Sequence, residues 1–491
     1  MKKLSKIIMA VVIIFALVLN YSAVFAAPPD MPSGEKPSGT PPDKPDGNVG
    51  PGGSSSANVT HKGATEISSE MSSNGETYSS STGSENALLV TGGESSITDP
   101  TVIKSGDASG DEADFYGTNA AILVKGGTLN ITGGKVTTNG SHANGVFAYG
   151  DGTININDTN IKTTSNNSGA IMVTGGGTLN ANNVTAETEG NSSAPIRSDR
   201  GGGVLTVNAG NFTSNGTGSP VIYSTADITV NNSTLTSTAS EGVVVEGKNS
   251  VTLNNVTMEA TNTKLNGNSE TYKSIFIYQS MSGDADVGTA SFTANNSKIV
   301  NNKGDVIFVT NTSTTIDLSN NDIINNDADG AFIKIAAAKW GTSGSNGGTV
   351  TLNAKSQKIE GDILVDDIST LDLSLEEKSS YVGTINASNT AKTLNVKLSK
   401  DSSLTLTGDS YITSLENEVE DNSNINLNGY TLYVNGTAID STEYSGNTSL
   451  ENSESPLKTE VILPVAVMFV VMLVVIVFKK KAKKDDDEVI K

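Results

Sequence analysis

The middle of the chain repeats every 22 to 26 residues. Successive units are "GVFAYGDGTININDTNIKTTSNNS", "GAIMVTGGGTLNANNVTAETEGNSS", "APIRSDRGGGVLTVNAGNFTSNGTGS" and "PVIYSTADITVNNSTLTSTAS". Each holds three short alternating segments between polar turns, and alternation places one face of a strand inward. One internal spacing is constant: an apolar residue is followed five positions later by another. The pairs are Ile131/Val136, Ile156/Ile161, Ala181/Ala186, Val207/Phe212, Val230/Leu235, Leu253/Met258, Ala294/Ile299 and Leu318/Ile323. In a continuous strand, residues five apart face opposite sides, so a bend of fixed length must separate each pair.

An asparagine follows the first member in six of the eight units: Asn157, Asn182, Asn208, Asn231, Asn254 and Asn295. Asparagine tolerates the left-handed conformation that a tight bend needs. Stacked on adjacent coils, these amides would bond to one another as a ladder. Strand, bend, strand, turn, strand, turn, stacked unit on unit, predicts an all-β parallel β-helix. Strand twist makes right-handed winding the expectation.

The repeat pattern resembles the pectate-lyase-like β-helix superfamily, and a closer resemblance is carried by the segments "DFYGTNAAILVKGG", "APIRSDRGGG", "VVVEGKNSVTLNNVT", "IYQSMSGDA" and "KWGTSGSNGGTVTLN". These segments resemble the adhesin-like surface proteins of clostridia and methanogens. The resemblance runs from about Ala87 to Ile439 and implies a solenoid displayed at a cell surface. Beyond Thr342 the spacing loosens, with Leu352 followed by Ile359 at seven positions, so closing coils and a C-terminal cap are expected there.

Both ends of the 491-residue chain read as targeting segments. Lys2 and Lys3, an apolar run from Ile7 to Leu19 and "SAVFAAPP" predict a signal peptide over 1–26. Proline, glycine and serine make 27–56 a leader, and the repeat domain is expected over 57–440. A stalk over 441–459 precedes the uncharged run Val461 to Phe478. As a helix that run is about 27 Å long, enough for one membrane crossing over 460–478. "KKKAKK" opens the tail 479–491 and puts it in the cytoplasm. The expected location is therefore a single-pass membrane protein with its N-terminal ectodomain outside. A net charge of −21 disfavours nucleic acid, and the absence of cysteine removes disulfides and thiolate metal sites.

The candidate site lies on the first strand of each unit. Aligning the units turns Ile122, Val146, Ile171, Ile196, Ile222 and Val244 inward. Leu123, Phe147, Met172, Arg197, Tyr223 and Val245 then point outward, with Lys125, Tyr149, Thr174, Asp199 and Thr225 two positions on. Phe276 or Tyr278, then Phe308 and Lys334, fall near the same stripe. "RSDRGGG" holds the chain's two arginines, Arg197 and Arg200, and Trp340 is its only tryptophan. Aromatic faces suit the C–H faces of sugars, and Arg with Asp suits hydroxyls or a uronate carboxylate. The candidate ligand-binding set is therefore Phe147, Tyr149, Arg197, Asp199, Arg200, Tyr223, Tyr278 and Trp340, with an extracellular glycan or a neighbouring cell surface as partner. A loop or second subunit covering the stripe is the alternative.

No catalytic residue is assigned. A lyase needs a base beside a uronate, commonly with acids holding Ca²⁺, and Arg197 has only Asp199 and Asp227 for acidic company. The pairs and clusters Asp111/Glu112/Asp114, Asp284/Asp286 and Asp366/Asp367 read as solvated loop charge before Ca²⁺ sites. No cofactor is implied. His61 and His142 lack metal-ligand spacing. An ice-binding face is disfavoured because the row Thr137, Lys162, Glu187, Thr213 is interrupted by charge. The sequence thus predicts an adhesin or glycan-binding protein. A polysaccharide-active enzyme and a structural spacer remain the rival readings.

Overall fold

A computed structural model describes residues 59–265 and 270–440. The segments assigned above to signal peptide, leader, stalk, membrane helix and tail lie outside them. No described helix is long and apolar enough to cross a membrane. The described chain winds into a parallel β-solenoid of about 15 turns with almost no helix. The five-residue offset becomes two adjacent inward columns. One runs Ile131, Ile156, Ala181, Val207, Val230, Leu253, Ala294, Leu318 in unbroken parallel register. The other runs Val136, Ile161, Ala186, Phe212, Leu235, Met258, Ile299, Ile323. All but Ile323 are buried. Each inward Val, Leu or Ile contributes roughly 1.5–3 kcal/mol by leaving water, and a further buried column, Leu129, Ile154, Leu179 and Leu205, runs beside the first.

The bend is built as the sequence implies, with one shift. The left-handed residues are Asp158, Asn183, Ala209, Asn232, Asn255 and Asn296, each one position after the asparagine expected to adopt that conformation. The preceding asparagines stay in register and form the ladder. Asn182 donates to Asn157 (2.9 Å), Asn231 to Asn208 (2.8 Å), Asn254 to Asn231 (2.9 Å) and Asn295 to Asn254 (2.9 Å). No such bond joins Asn208 to Asn182, although they are paired; the bend there is Ala209-Gly210. A side chain on Gly210 would meet the Val184 carbonyl oxygen at 2.4 Å, so the close coil-to-coil approach requires glycine.

Past residue 342 the solenoid continues, with Lys358–Glu360, Ser380–Gly383, Ser403–Leu406 and Ile425–Asn426 stacking as a separate four-stranded sheet. The last strand, Thr437–Ala438, turns back antiparallel on Leu432–Val434. This reversal pairs a short stretch of backbone that an open last coil would leave free.

Candidate functional site

The outward stripe of the first sheet is continuous in register: Leu89, Leu123, Phe147, Met172, Arg197, Tyr223, Val244, Phe276, Phe308, Lys334 and Leu364. This corrects the alignment of one unit. Val243, not Val244, faces the core, and Val244 belongs to the stripe beside Tyr223 and Phe276. Three consecutive valines made that unit ambiguous. The shift by one residue also concealed Glu246, which lies in register with Tyr278 on the outward side. The glutamate carries the missing signal, because a carboxylate two residues after an inward valine would itself have to enter the apolar core.

The stripe is covered rather than open. Leu123, Phe147 and Met172 are fully buried, in a cluster with Leu89, Ala120 and the edge of Tyr149. Their cover is the segment that carries the short helix Asp111–Tyr116. The helix ends at Gly117, whose left-handed φ of 70° leaves no room for a side chain: a Cβ would stand 2.9 Å from Leu123 and 3.0 Å from Phe147. Both histidines of the chain hold this cover. His61 Nε2 bonds the Tyr116 carbonyl (2.8 Å), and His142 Nδ1 meets Asp114 (2.7 Å). Burial lowers the pKa of His61, which makes its neutral, donating tautomer the fitting form. Thr174 Oγ1 donates to the Phe115 carbonyl at 2.7 Å.

Further along, Val244, Phe276, Tyr278 and Phe308 form a second covered cluster, flanked by Tyr223, Ala336, Ala338 and Trp340. Phe276 stacks on Phe308 at 5.7 Å, and Trp340 packs on Tyr278 at 5.1 Å. Glu246, buried, gathers three hydroxyls: Tyr223 (2.6 Å), Tyr278 (2.8 Å) and Ser280. Burial pushes both tyrosine hydroxyls well above their ordinary pKa, so they stay donors. Phe147, Tyr223, Tyr278 and Trp340 therefore serve packing, and do not present an open aromatic row.

Arg197 and Asp199 occupy the seam between the two clusters. They form a buried ion pair, Nη2 to Oδ2 at 3.0 Å, with side chains 12% and 5% exposed. The two residues stand two positions apart on the outward side. The covers on either side are what bury the pair. Burial dominates Asp199, whose carboxyl is pushed up to about 7 despite the neighbouring guanidinium. Arg200 points the other way, from the turn into a gap between the covers. Its Nε donates to Asp284 (2.8 Å), its Nη1 reaches Asp111 (3.3 Å), and its guanidinium lies 4.0 Å from the Phe115 ring centre. The acidic company of the arginines thus includes Asp284 and Asp111, both remote in sequence.

A cleft of about 670 Å³ opens beside Arg200. Gly201, Gly202 and Gly203 lie along it; Tyr116 and Tyr149 line one end, and Lys248, Asp284 and Asp286 line the loop side. Asp227 also borders it, with Ser250 donating to its carboxylate (2.8 Å). Lys248 pairs with Asp286 at 2.8 Å. Of the expected ligand set, the structure brings Tyr149 and Arg200 to this cleft. Asp366, at another loop, accepts the Ala337 amide at 2.6 Å. No described group of three or more His, Asp or Glu side chains gathers as a metal cage. No family model matches the chain, and neither a curated protein nor a solved structure does.

Proposed function

We propose that the chain is a cell-surface adhesin or glycan-binding protein. In this reading it is a right-handed β-helix of the pectate-lyase-like, adhesin-like kind, exported by its N-terminal segment and tethered by Val461 to Phe478. The observation that supports it is the cleft beside Arg200. Its volume of about 670 Å³ falls in the ~300–1,000 Å³ range of small-ligand sites. It combines the aromatic edges of Tyr116 and Tyr149 with paired cations and carboxylates, the mixture that sugar hydroxyls and ring C–H groups satisfy. The covered stripe moves the expected contact from the strand face to this gap.

The test is a glycan array probed with the purified full chain in detergent. Tyr149→Ala and Lys248→Ala are expected to reduce the signal at least tenfold on the same glycans. Met281→Ala, at an exposed loop tip outside the cleft, is expected to leave it unchanged. Absence of any glycan signal, or equal signal from all variants, removes the cleft as the site and favours the spacer reading. Polysaccharide cleavage is the second reading, supported by the Asp199 carboxyl held near neutrality beside Arg197. Release of unsaturated sugars from polygalacturonate, lost in Asp199→Asn, would establish it.

A further inference from the structure

Away from the cleft, three titratable side chains occupy one position on three successive coils. Val243 pairs with Ile275, and Ile275 with Ile307. Two residues earlier on each coil stand Glu241, Lys273 and Asp305, with Lys273 and Asp305 directly paired in register. All three are buried, at 4%, 1% and 7% exposure. Lys273 Nζ lies 3.2 Å from Glu241 Oε1 and 4.4 Å from the Phe276 ring centre. Ser240 Oγ donates to the other oxygen of Glu241. Asp305 Oδ1 accepts the Ala331 amide at 2.9 Å, which fixes its orientation.

An ion pair is costly here. Removing two charges from water carries a penalty of several kcal/mol per ion, which their attraction offsets only in part. Burial accordingly lowers the Lys273 pKa and raises that of Asp305. Burial favours the uncharged form of the Lys273 amine, and the rigid stack holds that amine at contact distance from the Glu241 carboxyl. A second acid stands on the next coil. Those are the parts of an acyl substitution, and fixed proximity replaces the usual activation of the carboxyl.

We propose that Lys273 and Glu241 join as an amide cross-link between adjacent coils. The Nζ lone pair adds to Glu241 Cδ, forming the N–C bond. The Cδ–O bond then breaks, and that oxygen departs as water with one proton from the amine and one from the carboxylic acid. Asp305, paired in register with Lys273 on the next coil, holds a second carboxyl near the amine. One amine and one acid become one amide and one water, and no oxidant, nucleotide or cofactor is consumed.

The location suits the link. Asn254 and Asn295, stacked on these two coils, are 41 residues apart, whereas the neighbouring ladder step Asn231 to Asn254 spans 23. The longer segment raises the entropy cost of closing this coil, and a covalent tie across it limits the unfolded chain. A bond at this point also resists pulling along the solenoid axis, the load that a tethered surface protein bears.

The test is peptide mapping of the purified full chain after denaturation and trypsin digestion. The expected product is one branched peptide containing both Glu241 and Lys273, 18 Da lighter than the sum of its two arms, with no cleavage after Lys273. Glu241→Ala is expected to restore cleavage after Lys273 and abolish the branched peptide. The wild-type map decides even if a variant fails to fold. Normal cleavage after Lys273 in the wild type, with no branched peptide, would overturn the proposal and leave a buried ion pair.

Discussion

Arg200 Nε and Asp284 are joined at 2.8 Å although 84 residues separate them in the sequence. The same guanidinium reaches Asp111 and faces Phe115, so one turn residue ties together two covers that share no strand. Arg200→Ala should loosen both at once. Amide hydrogen exchange should accelerate at 111–117 and at 282–286, while the core columns keep their protection. Because the arginine is 40% exposed, the cost should be only about 1 kcal/mol and barely move the thermal midpoint. Acceleration in one loop alone would mean that the covers are independent.

Arg197, three residues earlier, should behave differently. Arg197→Ala strands Asp199 as a buried acid without its partner, a loss of about 3–5 kcal/mol by analogy with other buried pairs. The combined change Arg197→Met with Asp199→Leu should recover most of that loss, because it removes both charges and fills the seam. Thermal unfolding of the three proteins checks this. A double variant as unstable as the single one would show that the shape of the pair matters more than its charge.

The ladder allows a graded comparison. Asn231 donates to Asn208 and accepts from Asn254, whereas Asn182 makes only the bond to Asn157 within the ladder. Asn231→Ala should cost about 1–2 kcal/mol and Asn182→Ala about half as much, read from denaturant midpoints. Equal costs would indicate that backbone conformation at the bend, not amide stacking, sets the preference for asparagine.

The solenoid was legible because its signal is local and repeated. Ile156/Ile161 and its seven counterparts report a bend that must recur wherever coils stack. The site was less legible because it is made by insertions, which have no period. Nothing in "DEADFYG" states that it will fold over Leu123 and Phe147, or that His61 and His142 will both hold it. The stripe was legible as outward except in the unit of Val243 to Val245, but its exposure depends on those loops. Glu246 was lost to a single-residue ambiguity in "VVVE", where every valine fits either face.

Asp199 offers a pH test with a definite sign. Two causes oppose each other: burial raises its pKa, and the Arg197 charge lowers it. Burial wins, lifting the carboxyl from 3.8 to about 7. Between those values the folded chain holds a proton that the unfolded chain has released, so the Asp199 contribution to stability is complete below pH 3.8. It is lost progressively as pH rises to about 7, and constant above that. Asn cannot titrate, so Asp199→Asn should cost most near pH 4 and least above pH 7. Thermal midpoints of the two proteins, taken in steps from pH 4 to 8, should converge as pH rises. Divergence with rising pH would mean that the guanidinium outweighs burial and that Asp199 is ionised throughout this range, which would also remove the neutral acid on which the cleavage reading rests.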